Sequence, residues 1–169
     1  MKNLFKRSAL LALFQLLPST WGYAQDQKAK LSQMVKGFAG AFDAPVIQPK
    51  ELERWLKGKK NLVLVDVRSP KERKVSMIPG AISREAFEQL PKDPQRTVVS
   101  YCTIGYRSGK FTEALRKDGV QAFNLEGSIL AWVLGGGQVV DAKGPTKRVH
   151  VYGPRWNLLP EGYQAVFSD

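Results

Sequence analysis

Thr97-Val-Val-Ser-Tyr101-Cys102-Thr-Ile-Gly-Tyr-Arg107-Ser108 joins a run of strand-forming residues to a loop with one glycine and one arginine, and then to a helix-like stretch that reaches Lys117. A strand ending in such a turn delivers the cysteine to the carboxyl edge of a sheet. Backbone N–H groups of the turn and the positive end of the next helix then favour thiolate over thiol. Free cysteine often only fills space in a core. This one follows the apolar run instead of sitting inside it, and Gly105, Arg107 and Ser108 flank it. Cys102 is therefore read as a candidate nucleophile.

Strand and helix signals alternate on both sides of this stretch. Val46-Ile47 suits a brief strand, and Pro49 at a first helical position opens a helix to Lys57, closed by Gly58, with Leu52, Trp55 and Leu56 on one face. Asn61 to Val67 is nearly continuous in branched apolar residues, as in a strand covered on both sides. A short polar helix over Pro70–Lys74 follows. Met77 to Ile82 then turns into a short strand, and Ser83 caps a helix to about Leu90.

Beyond the cysteine, Ser108–Lys117 reads as a helix with Phe111, Ala114 and Leu115 inward, Val120–Leu125 as a strand, and Ser128–Trp132 as a helix ending in Gly135-Gly-Gly137. The alternation over 46–135 predicts an α/β fold, a parallel sheet of about five strands with helices on both faces. Ligands of such sheets bind outside the carboxyl ends of the strands, where Asp66, Arg68 and Cys102 all fall.

The two ends read differently. Lys2, Lys6 and Arg7 precede the apolar stretch Ala9–Leu17, then Pro18 and the small-residue site Gly22-Tyr23-Ala24, the layout of a secretory signal cleaved after Ala24. Nine residues interrupted by Gln15 are too short to span a bilayer, which takes about 20. The expected localisation is thus periplasmic or secreted, with no stable membrane insertion after processing. Residues 25–44 form a lead-in segment: Gln25–Lys30 reads as polar and mobile, and Leu31–Phe42 as a short helix weakened by Gly37 and Gly40. Residues 137–169, rich in Gly and Pro, read as an irregular arm packed on a domain spanning 45–136.

Loss of Lys2, Lys6 and Arg7, with no acidic residue removed, lowers the formal charge from +11 to +8. The remaining Lys and Arg are scattered, without the aromatic-interleaved basic face of nucleic-acid binders, so no nucleic-acid partner is expected. One cysteine in an oxidising compartment excludes an internal disulfide framework. The thiol is buried, paired with another molecule, or kept for chemistry. His150, the one histidine, lies far along the arm, and no local motif makes it a Cys-His base.

Three pieces in order resemble the rhodanese family of sulfurtransferases and related domains. They are Leu64-Val-Asp66-Val-Arg68-Ser-Pro-Lys-Glu72 with Ile78-Pro-Gly-Ala-Ile82, then Tyr101 to Ser108, then Leu125 to Trp132. Met77 and Arg73 depart from the family, which often has histidine and an aromatic residue there.

The resemblance implies a Cys102 that takes a sulfane sulfur from a small anion such as thiosulfate and passes it, as a persulfide, to a thiol or protein acceptor. Thr103, Ile104, Gly105, Tyr106, Arg107 and Ser108 would bind the substrate, without metal or organic cofactor. Arg107 either binds the donor anion or braces the loop through a carboxylate of its own. Tyr106 lines the entrance or is merely an exposed aromatic. Asp66 and Arg68 would form a supporting network beneath the loop, with Glu72 as a partner for Arg68. The C-x4-R spacing is one residue shorter than the phosphate cradle of related dual-specificity phosphatases, which disfavours that chemistry. The alternative is a rhodanese-like module that docks a partner protein or senses a thiol without turnover.

Overall fold

The parallel sheet follows from strands that are apolar on both faces. The computed structural model describes residues 17–38, 40–59 and 61–167. Within them β1 (Val46–Ile47), β2 (Leu62–Asp66), β3 (Ile82–Ser83), β4 (Thr97–Tyr101) and β5 (Gln121–Leu125) form one five-stranded sheet in the order β1-β5-β4-β2-β3, parallel throughout. Alternate residues of β2 and β4 enter opposite cores. Leu64 and Val99 join the larger cluster with Leu125, Ile129 and Leu130, whereas Val65 and Val98 join Ala122. All eight are at most 2% exposed, and each Val, Leu or Ile among them contributes on the order of 1–3 kcal/mol of burial.

Helices cover both faces. Along the chain they are α1 (Leu17–Lys36), α2 (Pro49–Gly58), α3 (Pro70–Val75), α4 (Arg84–Glu88), α5 (Tyr106–Lys117) and α6 (Ser128–Leu134). Leu52 of α2 and Ile129, Leu130 and Val133 of α6 seal the larger cluster, and Phe87 of α4 with Phe111 and Leu115 of α5 close the other. The expected inward set of α5 needs correction. Ala114 is exposed, and Ser108, Gly109 and Thr112 are buried in its stead, because α5 meets β4 through hydrogen bonds as well as through apolar contact. Ser100 Oγ donates to the Ser108 carbonyl at 3.1 Å and lies 2.7 Å from Thr112 Oγ1. Leu56, expected on the inner face of α2, is likewise exposed.

The lead-in segment also differs from its sequence reading. Gln25–Lys30, expected to be mobile, is helical within α1, and the helix stops at Lys36 instead of Phe42. Leu31, Met34, Val35 and Phe38 supply a stripe at helical spacing against the larger core, and the helix extends backward through Ala, Gln and Lys, which are strong helix formers. An Asp26–Lys30 pair at 2.7 Å reinforces that turn. Of the expected leader over 1–24, residues 1–16 lie outside the described residues. No helix among the described residues is long and apolar enough to cross a membrane.

Residues 139–166, expected to be irregular, carry short strands. β6 (Val139–Asp141) and β7 (Gly144–Thr146) form an antiparallel hairpin, while β8 (Arg148–His150) and β9 (Gln164–Val166) pair in parallel. Val139, Val149, Val151, Leu158 and Leu159 enter the larger core, so this region is part of the fold's interior. It also brings β8 against α3, beside the Cys102 loop.

Candidate active site

Three strands in register build the site floor. Asp66 at the end of β2 pairs with Tyr101 of β4, and Ser100 pairs with Asn124 of β5. The chain leaves β4 at Cys102, and two elements hold the loop that follows. The first N–H groups of α6 donate to it, Ile129 to the Cys102 carbonyl and Leu130 to the Thr103 carbonyl, both at 3.3 Å. Asn124 Nδ2 donates to the Gly105 carbonyl at 2.9 Å, and the Cys102 N–H donates to Ser128 Oγ at 3.0 Å. Gly105 takes φ +110°, a left-handed conformation that glycine adopts at least cost. That twist turns its N–H inward, where it donates to Cys102 Sγ at 3.2 Å.

Cys102 is 1% exposed, and burial by itself would push its thiol up. The Ser108 N–H and hydroxyl, the Arg107 guanidinium and the Gly105 N–H outweigh burial, and the thiol lies below its ordinary value. The hydroxyl contributes less than the amides, since its single proton points at Asn124 Oδ1, 2.7 Å away. The sulfur thus sits among inward-facing donors, a setting that stabilises a thiolate or another small sulfur anion.

Arg107 braces the loop. Its two terminal nitrogens grip Glu72 at 2.8 and 2.6 Å, and one of them also donates to Thr103 Oγ1 at 3.1 Å. Glu72 caps α3 as well, accepting from the Ser69 N–H at 2.9 Å. Burial would raise the Glu72 carboxyl, but Arg107 and Ser69 hold it down at about 2. This corrects the expected pairing. Glu72 serves Arg107, while Arg68 is bound by Asp66 at 2.7–3.2 Å and donates to the Ser76 carbonyl at 2.6 Å. The Asp66–Arg68 side chains are fully buried, and Tyr101 lies beneath the guanidinium with its hydroxyl accepting from the Ile78 N–H at 3.0 Å. Asp66 and Arg68 therefore support the sheet edge and are closed to any ligand.

The other expected loop residues divide. Thr103, Gly105 and Ser108 are buried around the sulfur, and Ile104 enters the larger core. Tyr106 is exposed and takes the edges of Phe38 and Phe42 on its outer side. Three residues of the site escaped sequence reading. Asn124 and Ser128 hold the loop from behind, and their signals were a polar residue at the carboxyl end of an apolar strand and a serine just after Glu126-Gly127. The third, His150, is buried on β8 with Nδ1 3.9 Å from Glu72 Oε1, and nothing in its local sequence marks that contact. Among the described residues no group of three His, Cys, Asp or Glu is placed to hold a metal ion.

Comparison with known proteins gives the same assignment for the body of the chain. The sequence profile of the rhodanese-like domain matches residues 48–134, about half the chain. A probable adenylyltransferase/sulfurtransferase MoeZ of Mycobacterium tuberculosis is 39% identical over 103 residues, 56% of this chain but only 26% of that protein's length. A sulfurtransferase of Allochromatium vinosum is 33% identical over 105 residues, covering 58% of this chain and 96% of the relative. Among solved structures, a rhodanese-related protein of Thermoplasma volcanium superposes with a TM-score of 0.50 at 26% identity, over 57% of this chain and 97% of that one. A five-stranded parallel sheet, a cysteine loop at its carboxyl edge and a profile match over residues 48–134 place the chain in the rhodanese-like domain family.

Proposed function

We propose that the protein is a sulfurtransferase that carries a sulfane sulfur on Cys102, with thiosulfate as a donor. The Cys102 thiolate attacks the outer sulfur of the donor, the donor's S–S bond breaks, and sulfite leaves with the electron pair. The enzyme then holds a Cys102 persulfide anion. An acceptor thiolate attacks its terminal sulfur, a new S–S bond forms on the acceptor, and the Cys102 thiolate is regenerated. Loop N–H groups stabilise the negative charge at each stage, and Arg107 keeps the loop in shape through Glu72.

One observation carries this reading: the Gly105 N–H is aimed at Cys102 Sγ at 3.2 Å in a loop whose groups hold the thiol below its ordinary value. The sulfurtransferase relatives support it. The lead sequence Lys2–Ala24 supports export, which would place this chemistry outside the cytoplasm. The second reading, a binding or thiol-sensing module without turnover, draws on the burial of Cys102.

Intact-mass measurement after incubation with thiosulfate separates the two. Wild type should gain the mass of one sulfur atom, cyanide should remove it, and Cys102→Ala should do neither. No mass gain in wild type would leave the non-turnover module.

A further inference from the structure

We propose that the groove between α1 and the edge of the sheet binds a long-chain carboxylate, a single acyl chain with its charged end at the mouth. The groove holds about 650 Å³ and does not include Cys102 in its lining. That volume falls within the roughly 300–1,000 Å³ range of small-molecule sites and would leave a thiosulfate-sized anion almost unsupported. Leu31 and Val35 of α1 form one wall, Val46 and Leu134 stand opposite, and Ile104 and Gly105 of the loop contribute as well. The surfaces offered are therefore mainly aliphatic.

No described residue fills this space. Phe38 and Phe42, on the segment after α1, lean against Tyr106 at 5.7 and 6.2 Å between ring centroids. Phe42 also lies over Gly109, where an added Cβ would come within 2.2 Å of its ring. Those rings are thus tied to α5.

Charge decides the class of occupant. Lys28, Lys36 and Lys50 all line the groove, all are exposed, and none forms an ion pair among the described residues. The one acidic residue in the lining, Glu126, is hydrogen-bonded by Gln48. An aliphatic trough lined by three lysines against one carboxylate, Glu126, carries a net positive charge and suits an anion with an alkyl tail. The lining starts at Lys28, so cleavage after Ala24 would leave every one of its residues in place.

The test is calorimetric titration and native mass spectrometry of the full chain with hexadecanoate. Saturable one-to-one binding is expected, weakened by about tenfold for hexadecyltrimethylammonium, which keeps the tail and reverses the charge. The triple variant Lys28→Glu, Lys36→Glu, Lys50→Glu alters only exposed side chains and should lose about tenfold in hexadecanoate affinity. Cys102→Ala should bind as wild type does, so the result is independent of sulfur chemistry. Absence of saturable binding, equal affinity for the cationic amphiphile, or binding to anionic vesicles without binding of monomeric hexadecanoate would each overturn the proposal.

Discussion

Two charged arrangements sit side by side at the carboxyl edge of the sheet, one after β2 and one after β4, and they are built for opposite purposes. Asp66 and Arg68 meet as full opposite charges with both side chains sealed from solvent. Around Cys102 one anionic sulfur is faced chiefly by neutral N–H groups, and the nearest cation, Arg107, is partly exposed and already bonded to Glu72. The first arrangement neutralises its own charge and is sealed from solvent, so a ligand cannot reach it. The second supports a negative charge on sulfur, which the proposed passage from thiolate to persulfide needs.

If that contrast is right, substitutions on the two sides should separate activity from stability. The largest effect is expected for Cys102→Ser, which should lower sulfur transfer from thiosulfate by at least about a thousandfold while the melting temperature stays nearly unchanged. Comparable activity in the variant would break the comparison on its chemical side.

Asp66→Ala acts on the other side. It leaves the Arg68 guanidinium buried without its counter-charge, and a loss of about 3–5 kcal/mol is expected in urea unfolding. A loss under about 1 kcal/mol would mean that the pair is not the structural member of the two.

Glu72 links the regions, and its titration gives a pH signature. Its carboxyl stands at about 2 in the folded protein against an ordinary 4.5. The stabilisation is therefore full above about pH 4.5 and is lost as the pH falls from there toward 2. Its size is at most about 3 kcal/mol, less after allowance for the partly exposed Arg107. Glu72→Gln should flatten this part of the stability–pH curve, and an unchanged slope in the variant would assign the acid sensitivity elsewhere.

The smallest effect is expected for Ser128→Ala, which strips the buried Cys102 N–H of its acceptor. A cost of about 1–3 kcal/mol should appear in unfolding, together with slower sulfur uptake by the loosened loop. Uptake at the wild-type rate would remove Ser128 from the site's support.

The contrast also shows which parts of the molecule were legible in the sequence. The strand-forming run that begins at Thr97 and stops before Cys102 is β4, because branched apolar residues covered on both faces leave little alternative to a strand. The loop and its cysteine were legible for a local reason: sulfur, glycine and arginine lie within six residues. Partnerships across the fold were not. Glu72 was matched with Arg68, four residues away, because sequence proximity was the available guide, yet its actual partner Arg107 lies 35 residues on. Ala114 was placed inward by apolar spacing, although polar anchors at Ser108 and Thr112 set the rotation of α5. Likewise α1 is ordered by its stripe against the core, a tertiary gain that its polar first half conceals. His150 reaches Glu72 only because β8 docks on α3, and no local pattern encodes that docking.

Sulfur transfer at this site depends on the Cys102 sulfur being held as an anion by the loop around it. Ultraviolet thiolate absorbance followed across pH, as the difference between wild type and Cys102→Ala, reads that state directly. A midpoint clearly below the roughly 8.5 of a free cysteine is expected. A midpoint at or above that value would mean that burial prevails over the loop's donors, and the proposed chemistry would lose its basis.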